Sequence, residues 1–393
     1  MGTSQAVVRD ARPQLSHGSN TLVPFLDLKA QYLTIRKEVL HAVERILDSQ
    51  HFILGKEVQL LESEIAEMVG AAVAVGCASG SDALYLALRA LDIDSGDEVI
   101  TTPFTFVATA GAIARLGARP VFVDIDPQTF NLNPELLSAA ITKKTRAIIP
   151  VHLFGLPADM KPILKIAGQH GIAVVEDAAQ AIGATYDGKQ VGSLGLFGCF
   201  SFFPSKNLGC AGDGGLVTTI EESLGDKLRL LRAHGSREKY SYEILGVNSR
   251  LDSLQAAILR VKLAHLKDWE RQRIVNADVY RGLFGEHHLE GLVTLPPVPA
   301  NCKHVYNQFV IRCTERSKLR LFLREKGFST EVYYPSPLHL QAAFAYLSYS
   351  AGDFPASEAA CREVLALPIY PELTEEVQNA IVRAISQFYH SQG

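Results

Sequence analysis

Cysteine is sparse in this chain. Six occur in 393 residues: Cys77, Cys199, Cys210, Cys302, Cys313 and Cys361. No two form a CxxC pair, and the spacing suits neither a disulfide framework nor a zinc site. Reduced thiols in a cytoplasmic protein without a metal are expected. No apolar run is long enough to span a bilayer. The opening stretch MGTSQAVVRDARPQLSHGSNTLVPFLDLKAQY lacks the apolar centre of a signal peptide. Ala6 stands where an N-acylation motif needs Ser or Thr. Dense Lys/Arg runs are absent, and 38 basic against 42 acidic residues leave a formal net charge of −4. Neither a nucleic-acid surface nor a membrane partner is expected. There is no internal repeat. A dinucleotide fold would need GxGxxG at its first strand–helix turn, but the turn reads CASGSDAL.

What is present is an ordinary globular composition, 47% hydrophobic and 20% charged, in a chain longer than one core usually serves. Residues 1–22 read as a mobile arm. Residues 23–265 read as a large domain and 266–393 as a small one, with a linking helix at about 251–283. YLTIRKEVLHAVERIL and EVQLLESEIAEMV carry apolar residues at helical spacing. Apolar segments then alternate with helical ones. AAVAVGC, EVITT, RPVFVDI, TRAIIPVHL, IAVVEDAA, FGCFSFF and GGLVTTI read as strands. SGSDALYLALRAL, FVATAGAIARLG and ADMKPILKIAGQHG lie between some of them as helices. This pattern predicts an α/β three-layer sandwich, a mainly parallel sheet covered on both faces. Further on, VYNQFVIRC and STEVYY read as strands, and RSKLRLFLREKG and TEEVQNAIVRAISQFY as helices, of a smaller C-terminal α/β domain.

Sheets of this kind bind ligands at the carboxyl ends of their strands. Four places there hold unusual residues. CASGSDAL offers small residues, the Ser81 hydroxyl and a helix start, which suit a phosphate; an ordinary turn capped by Ser79, Ser81 or Asp82 is the alternative. TTPFTFVATA holds Phe104 and Phe106, either of which could stack on a flat ring or belong to the core. VVEDAAQA ends a buried strand with Glu176 and Asp177. A carboxylate there needs a partner, either a protonated ring nitrogen or an Arg or Lys elsewhere, and Gln180 follows three residues on. In FSFFPSKNLGCAGDGG, Lys206 lies between an apolar strand and a glycine-rich turn, with Ser201 just before it. Partial desolvation there would free its amine, whereas a solvated loop lysine would stay protonated. A phosphate cradle, an aromatic plate, a ring-nitrogen carboxylate and a reactive lysine are together the protein's share of a pyridoxal phosphate (PLP) site.

These stretches, with FLDLKAQY, HFILGKEVQLLE, PVFVDIDPQTFNLNPE, AIIPVHLFGLPADM and GVNSRLDSLQAAIL, resemble the sugar aminotransferases of the DegT/DnrJ/EryC1/StrS family, within fold-type I of the PLP enzymes. The resemblance runs from about Phe25 to Leu373. It implies that Lys206 joins the cofactor and then carries protons, and that Asp177 keeps the pyridine nitrogen protonated. It implies that Phe106 stacks on the ring, Gln180 contacts it, and Gly80, Ser81 and Ser201 hold the phosphate. Asn248 matches a family residue that reaches the cofactor phosphate of the other subunit, which implies a homodimer with shared sites. Dehydratase relatives replace the lysine by histidine; Lys206 favours transamination, with glutamate as donor and a nucleotide-linked (UDP or dTDP) keto sugar as acceptor. Gln180 and the stretch RAHGSREKYSYEILGVNSRLD resemble members acting at C3 rather than C4. Arg250 matches a residue that a uronate-handling branch uses for its sugar acid. Tyr333 stands where that branch has histidine, which speaks against a uronate. Tyr333, Tyr334 and His339 are expected to touch substrate. A C4 aminotransferase and a non-catalytic PLP-binding regulator are the rival readings.

Overall fold

The computed structural model describes residues 22–390. The arm expected over 1–22 therefore lies outside the described residues except for Leu22. Two helices lead in. Helix α1, Leu28–Ser49, is N-capped by the Asp27 carboxylate, which accepts from Ala30 N–H at 2.9 Å. Helix α2, Lys56–Val69, ends on Gly70 in the left-handed region.

Seven strands follow, each one of the apolar runs read from the sequence. They are β1 (Val73–Cys77), β2 (Glu98–Thr101), β3 (Arg119–Phe122), β4 (Thr145–Ile148), β5 (Ala173–Asp177), β6 (Phe197–Ser201) and β7 (Gly215–Thr219). They form one sheet in the order β1-β7-β6-β5-β4-β2-β3. Only β7 runs against the rest, so the sheet is mainly parallel. Strands buried on both faces need apolar residues at every position, which is why these runs do not alternate.

Side chains leave successive residues on opposite faces, and both faces are covered. On one, Val73, Val75, Val175, Phe197 and Val217 pack against α3 (Gly80–Ala90), α4 (Val107–Arg115) and α6 (Glu222–Leu231). On the other, Ala74, Phe200 and Leu216 pack with Leu61 and Ile65 of α2 and with Leu259. Also on that face, Ile100, Ile148 and Val174 meet Met160 and Ile163 of α5 (Met160–His170).

Helix α7, Ser253–Glu286, serves two cores. Its early residues Ala256, Leu259 and Leu266 join the sheet's core; Ala277, Tyr280, Leu283 and Phe284 join another. That second core lies on a three-stranded antiparallel sheet of β8 (Val293–Thr294), β9 (Phe309–Cys313) and β10 (Val364–Leu367). Helices α8 (Arg316–Glu325), α9 (Pro355–Glu363) and α10 (Glu375–His390) accompany it. The strand expected at STEVYY does not form. Only Glu331 pairs, exchanging two hydrogen bonds with Ala366. Pro335 has no N–H to continue a ladder, and Tyr334 instead packs against Phe104 in the loop after β2, ring centroids 5.9 Å apart. A second tie crosses the same boundary. The buried Asp124 carboxylate, just beyond β3, accepts from Ala356 N–H, Ser357 N–H and Ser357 Oγ at the start of α9.

Candidate active site

The register of β1, β7 and β6 sets Cys77 and Ser201 on either side of Gly215. The end of β1, the start of α3 and the end of β6 therefore share one corner of the sheet's carboxyl edge. Ser79 is the N-cap of α3, its hydroxyl accepting from Asp82 N–H at 3.1 Å. The first-turn N–H groups of Gly80 and Ser81 have no partner within the helix. A Cβ at Gly80 would stand 2.5 Å from Ser201 Cβ, so only glycine lets helix and strand approach this closely. The corner is an anion cradle of backbone donors at a positive helix end, with two serine hydroxyls beside it.

Beside this corner β5 ends on two carboxylates that face opposite ways. Glu176 is fully buried and accepts from Gly192 N–H (2.9 Å), Leu194 N–H (2.8 Å), Gly195 N–H (2.8 Å) and His152 Nε2 (2.9 Å). His152 Nδ1 accepts from Ala158 N–H, so the proton lies on Nε2. Glu176 is thereby fully used in holding the loop after β5. Asp177 shares its face with Val175, toward α3 and α4. Its Oδ2 accepts from Thr109 Oγ1 at 2.8 Å and its Oδ1 from Ala179 N–H at 3.2 Å. Burial pushes its pKa up, against those hydrogen bonds and the Lys206 charge. A buried carboxylate with only two neutral donors is suited to a cationic ring N–H.

Lys206 lies in the turn after β6, half-buried. Loss of water lowers its pKa from the ordinary 10.5 to about 8, and the charge of Asp177 opposes the fall. About a tenth of the amine is therefore free at pH 7, far more than for an ordinary lysine. Of the two phenylalanines, Phe104 is wholly buried and packs against Phe130, Phe154 and Tyr334, while Phe106 is 56% exposed at the start of α4. Gln180 accepts from Phe154 N–H at 2.6 Å and donates to Tyr334 Oη at 3.2 Å. Tyr333 packs on Phe25.

Two expected residues have partners of their own, and Ser249, next to Asn248, ties that segment to Ala78 and Asp82 beside the corner. Asn248 is exposed, and its Oδ1 accepts from Arg250 Nε at 3.0 Å. His339 does not stand open to a substrate. It is 2% exposed, with its ring against Phe354 and Nε2 at 3.2 Å from Glu358; it packs the loop before α9. The sequence does not single out Thr109. Its one signal is a hydroxyl a helical turn after Phe106 in an apolar helix, and that signal is weak because threonines are common there.

The residues fit PLP: a phosphate cradle, a carboxylate awaiting a cation and a partly neutral lysine at one edge of a mainly parallel sheet. Fold and site define a PLP-dependent aminotransferase. Residues 33–386 match the DegT/DnrJ/EryC1/StrS aminotransferase family, and the chain belongs to that family. It is 51% identical to a pleiotropic regulatory protein of Geobacillus stearothermophilus, over 93% of this chain and 98% of that one. It is 48% identical to a UDP-N-acetyl-3-dehydro-alpha-D-glucosamine 3-aminotransferase of Acidithiobacillus ferrooxidans, over 94% and 99%. The crystal structure of Streptomyces venezuelae DesV with a ketimine intermediate superposes with a TM-score of 0.90 at 44% identity, covering 94% of this chain and 98% of that one. Solved relatives carry the cofactor as PLP or as its amine form, PMP. Among the described residues no helix is long and apolar enough to cross a membrane.

Proposed function

We propose that the protein transfers an amino group from glutamate to the C3 keto carbon of a nucleotide-linked sugar. Bound PLP supplies an electron sink. The chain's residues do the rest. Lys206 attaches the cofactor and, once released, carries a proton to and from the reacting carbon; its lowered pKa lets it act as a base near neutral pH. Asp177 holds the proton on the ring nitrogen, and Thr109 and Ala179 N–H orient the carboxylate. Gly80, Ser81 and Ser201 take the phosphate, Phe106 covers a face of the ring, and Gln180 is held in place by Phe154 and Tyr334. Tyr333 and Tyr334 border the sugar. The exposed Asn248 serves the cofactor site of a second copy in a homodimer, and Arg250 contributes to the sugar site.

One observation carries the reading: Lys206 with a lowered pKa beside Asp177, in a chain 48% identical to an enzyme named for C3 amination of a UDP-sugar. The 51% relative named as a regulator supports a second reading, in which PLP is bound and not turned over. The test is incubation with glutamate and a panel of 3-keto and 4-keto sugars on UDP and dTDP, followed by mass spectrometry. An amine gained by 3-keto sugars is expected. Reaction with 4-keto sugars alone would refute C3 regiochemistry, and no product from any sugar would favour the regulator.

A further inference from the structure

Asn207 follows the lysine directly, and nothing above assigns it a task. It is 5% exposed, yet both ends of its amide are engaged. Nδ2 donates to the Val305 carbonyl at 3.0 Å, and Oδ1 accepts from Asn307 Nδ2 at 3.0 Å. These partners lie 98 and 100 residues further along the chain. Their segment is itself pinned to the site: Val305 N–H donates to the Gly155 carbonyl at 3.0 Å and Gln308 N–H to the Phe154 carbonyl at 3.3 Å. Phe154 N–H in turn donates to Gln180.

The lysine turn closes on itself through Lys206 N–H to the Phe203 carbonyl and Cys210 N–H to the Phe202 carbonyl, both 2.9 Å. Further along the turn, Lys262 Nζ donates to the Gly209 carbonyl, Ala211 N–H donates to Gln255, and Leu208 packs in the core, all beyond the lysine. The Asn207 amide adds a side-chain tie one peptide from the reacting residue. The pair has a cost: Asn307 Oδ1 is buried with no hydrogen-bond partner among the described residues. Turning that amide over would face its oxygen toward Asn207 Oδ1, so Asn207 fixes its orientation.

We infer that Asn207 is a positioning residue, which through its amide pair with Asn307 fixes the backbone of Lys206 and so the place of Nζ over the cofactor. Misplacing a reacting group by about 1 Å costs on the order of 100-fold in rate, so loss of this anchor slows every step that needs Nζ. The inference rests on the reading of Lys206 as the residue that joins PLP.

The experiment compares Asn207→Ala and Asn307→Ala, each alone and each in a Lys206→Ala background. Borohydride trapping with peptide mapping first locates the attachment, and failure to find it at Lys206 overturns the reading on which this inference rests. With Lys206 present, stopped-flow absorbance measures the rate at which PLP attaches. Slowing of about tenfold or more is expected in both variants, with kcat falling and KM little changed. In the Lys206→Ala background, noncovalent PLP affinity should stay within about twofold. Unchanged attachment overturns the inference, as does an equal loss of noncovalent affinity, since Asn207 would then hold the pocket and not the lysine. Asn307→Ala keeps the Val305 bond, so it decides the matter if Asn207→Ala does not fold.

Discussion

Replacing Lys206 with methionine should make the cofactor-free protein more stable at pH 7. The folded state lowers the lysine pKa from 10.5 to about 8 because its surroundings exclude water. At about 1.4 kcal/mol per unit, holding the charged amine in place costs about 3 kcal/mol. The sign follows from proton counting. Between about 8 and 10.5 the unfolded chain still binds the proton and the folded protein does not, so stability rises with pH across that window. Below it the full cost is present; above it the cost is gone. Methionine is of similar length and has no charge to desolvate. Urea unfolding of both cofactor-free proteins, followed by circular dichroism at pH 7, 9 and 10.5, measures the difference. The variant should lead by about 3 kcal/mol at pH 7, and the gap should close toward pH 10.5. Equal stability at pH 7, or a gap that ignores pH, would refute the account of a desolvated amine. The same placement that weakens the fold is what frees the amine to react, a local trade of stability for activity.

Other perturbations separate the parts of the site. Asp177→Asn removes the charge that favours protonated Lys206; PLP attachment at pH 7 should quicken, by at most about tenfold because roughly a tenth of the amine is already free, while turnover falls about 100-fold or more. Slower attachment measured by absorbance would contradict this. Gly80→Ala drives a Cβ against Ser201, so PLP affinity should drop about tenfold or more and that of pyridoxal, which has no phosphate, much less; equal losses in a binding titration would mean the corner holds no phosphate. Glu176→Leu strands three backbone N–H groups and His152 Nε2. At about 1–3 kcal/mol each, the loss approaches a protein's whole stability of about 5–15 kcal/mol, and soluble, cooperatively unfolding Glu176→Leu protein would show that this network is dispensable.

The sequence by itself determined the seven strands and the helices between them, because fully buried strands must be apolar throughout and amphipathic helices must repeat. It also placed Lys206, Asp177 and the Gly80–Ser81 turn at strand ends, since connectivity alone puts residues after parallel strands on one edge. Tertiary structure decided which groups complete them. Thr109 meets Asp177 across 68 positions of chain, and Asn207 meets Asn307 across 100. The face of β5 that turns to α4 separates Asp177 from Glu176, and the packing of the loop before α9 takes His339 out of reach of solvent. None of these follows from local period or propensity: a hydrogen bond between distant segments depends on where two backbones come to rest, and that is fixed only when the whole core packs.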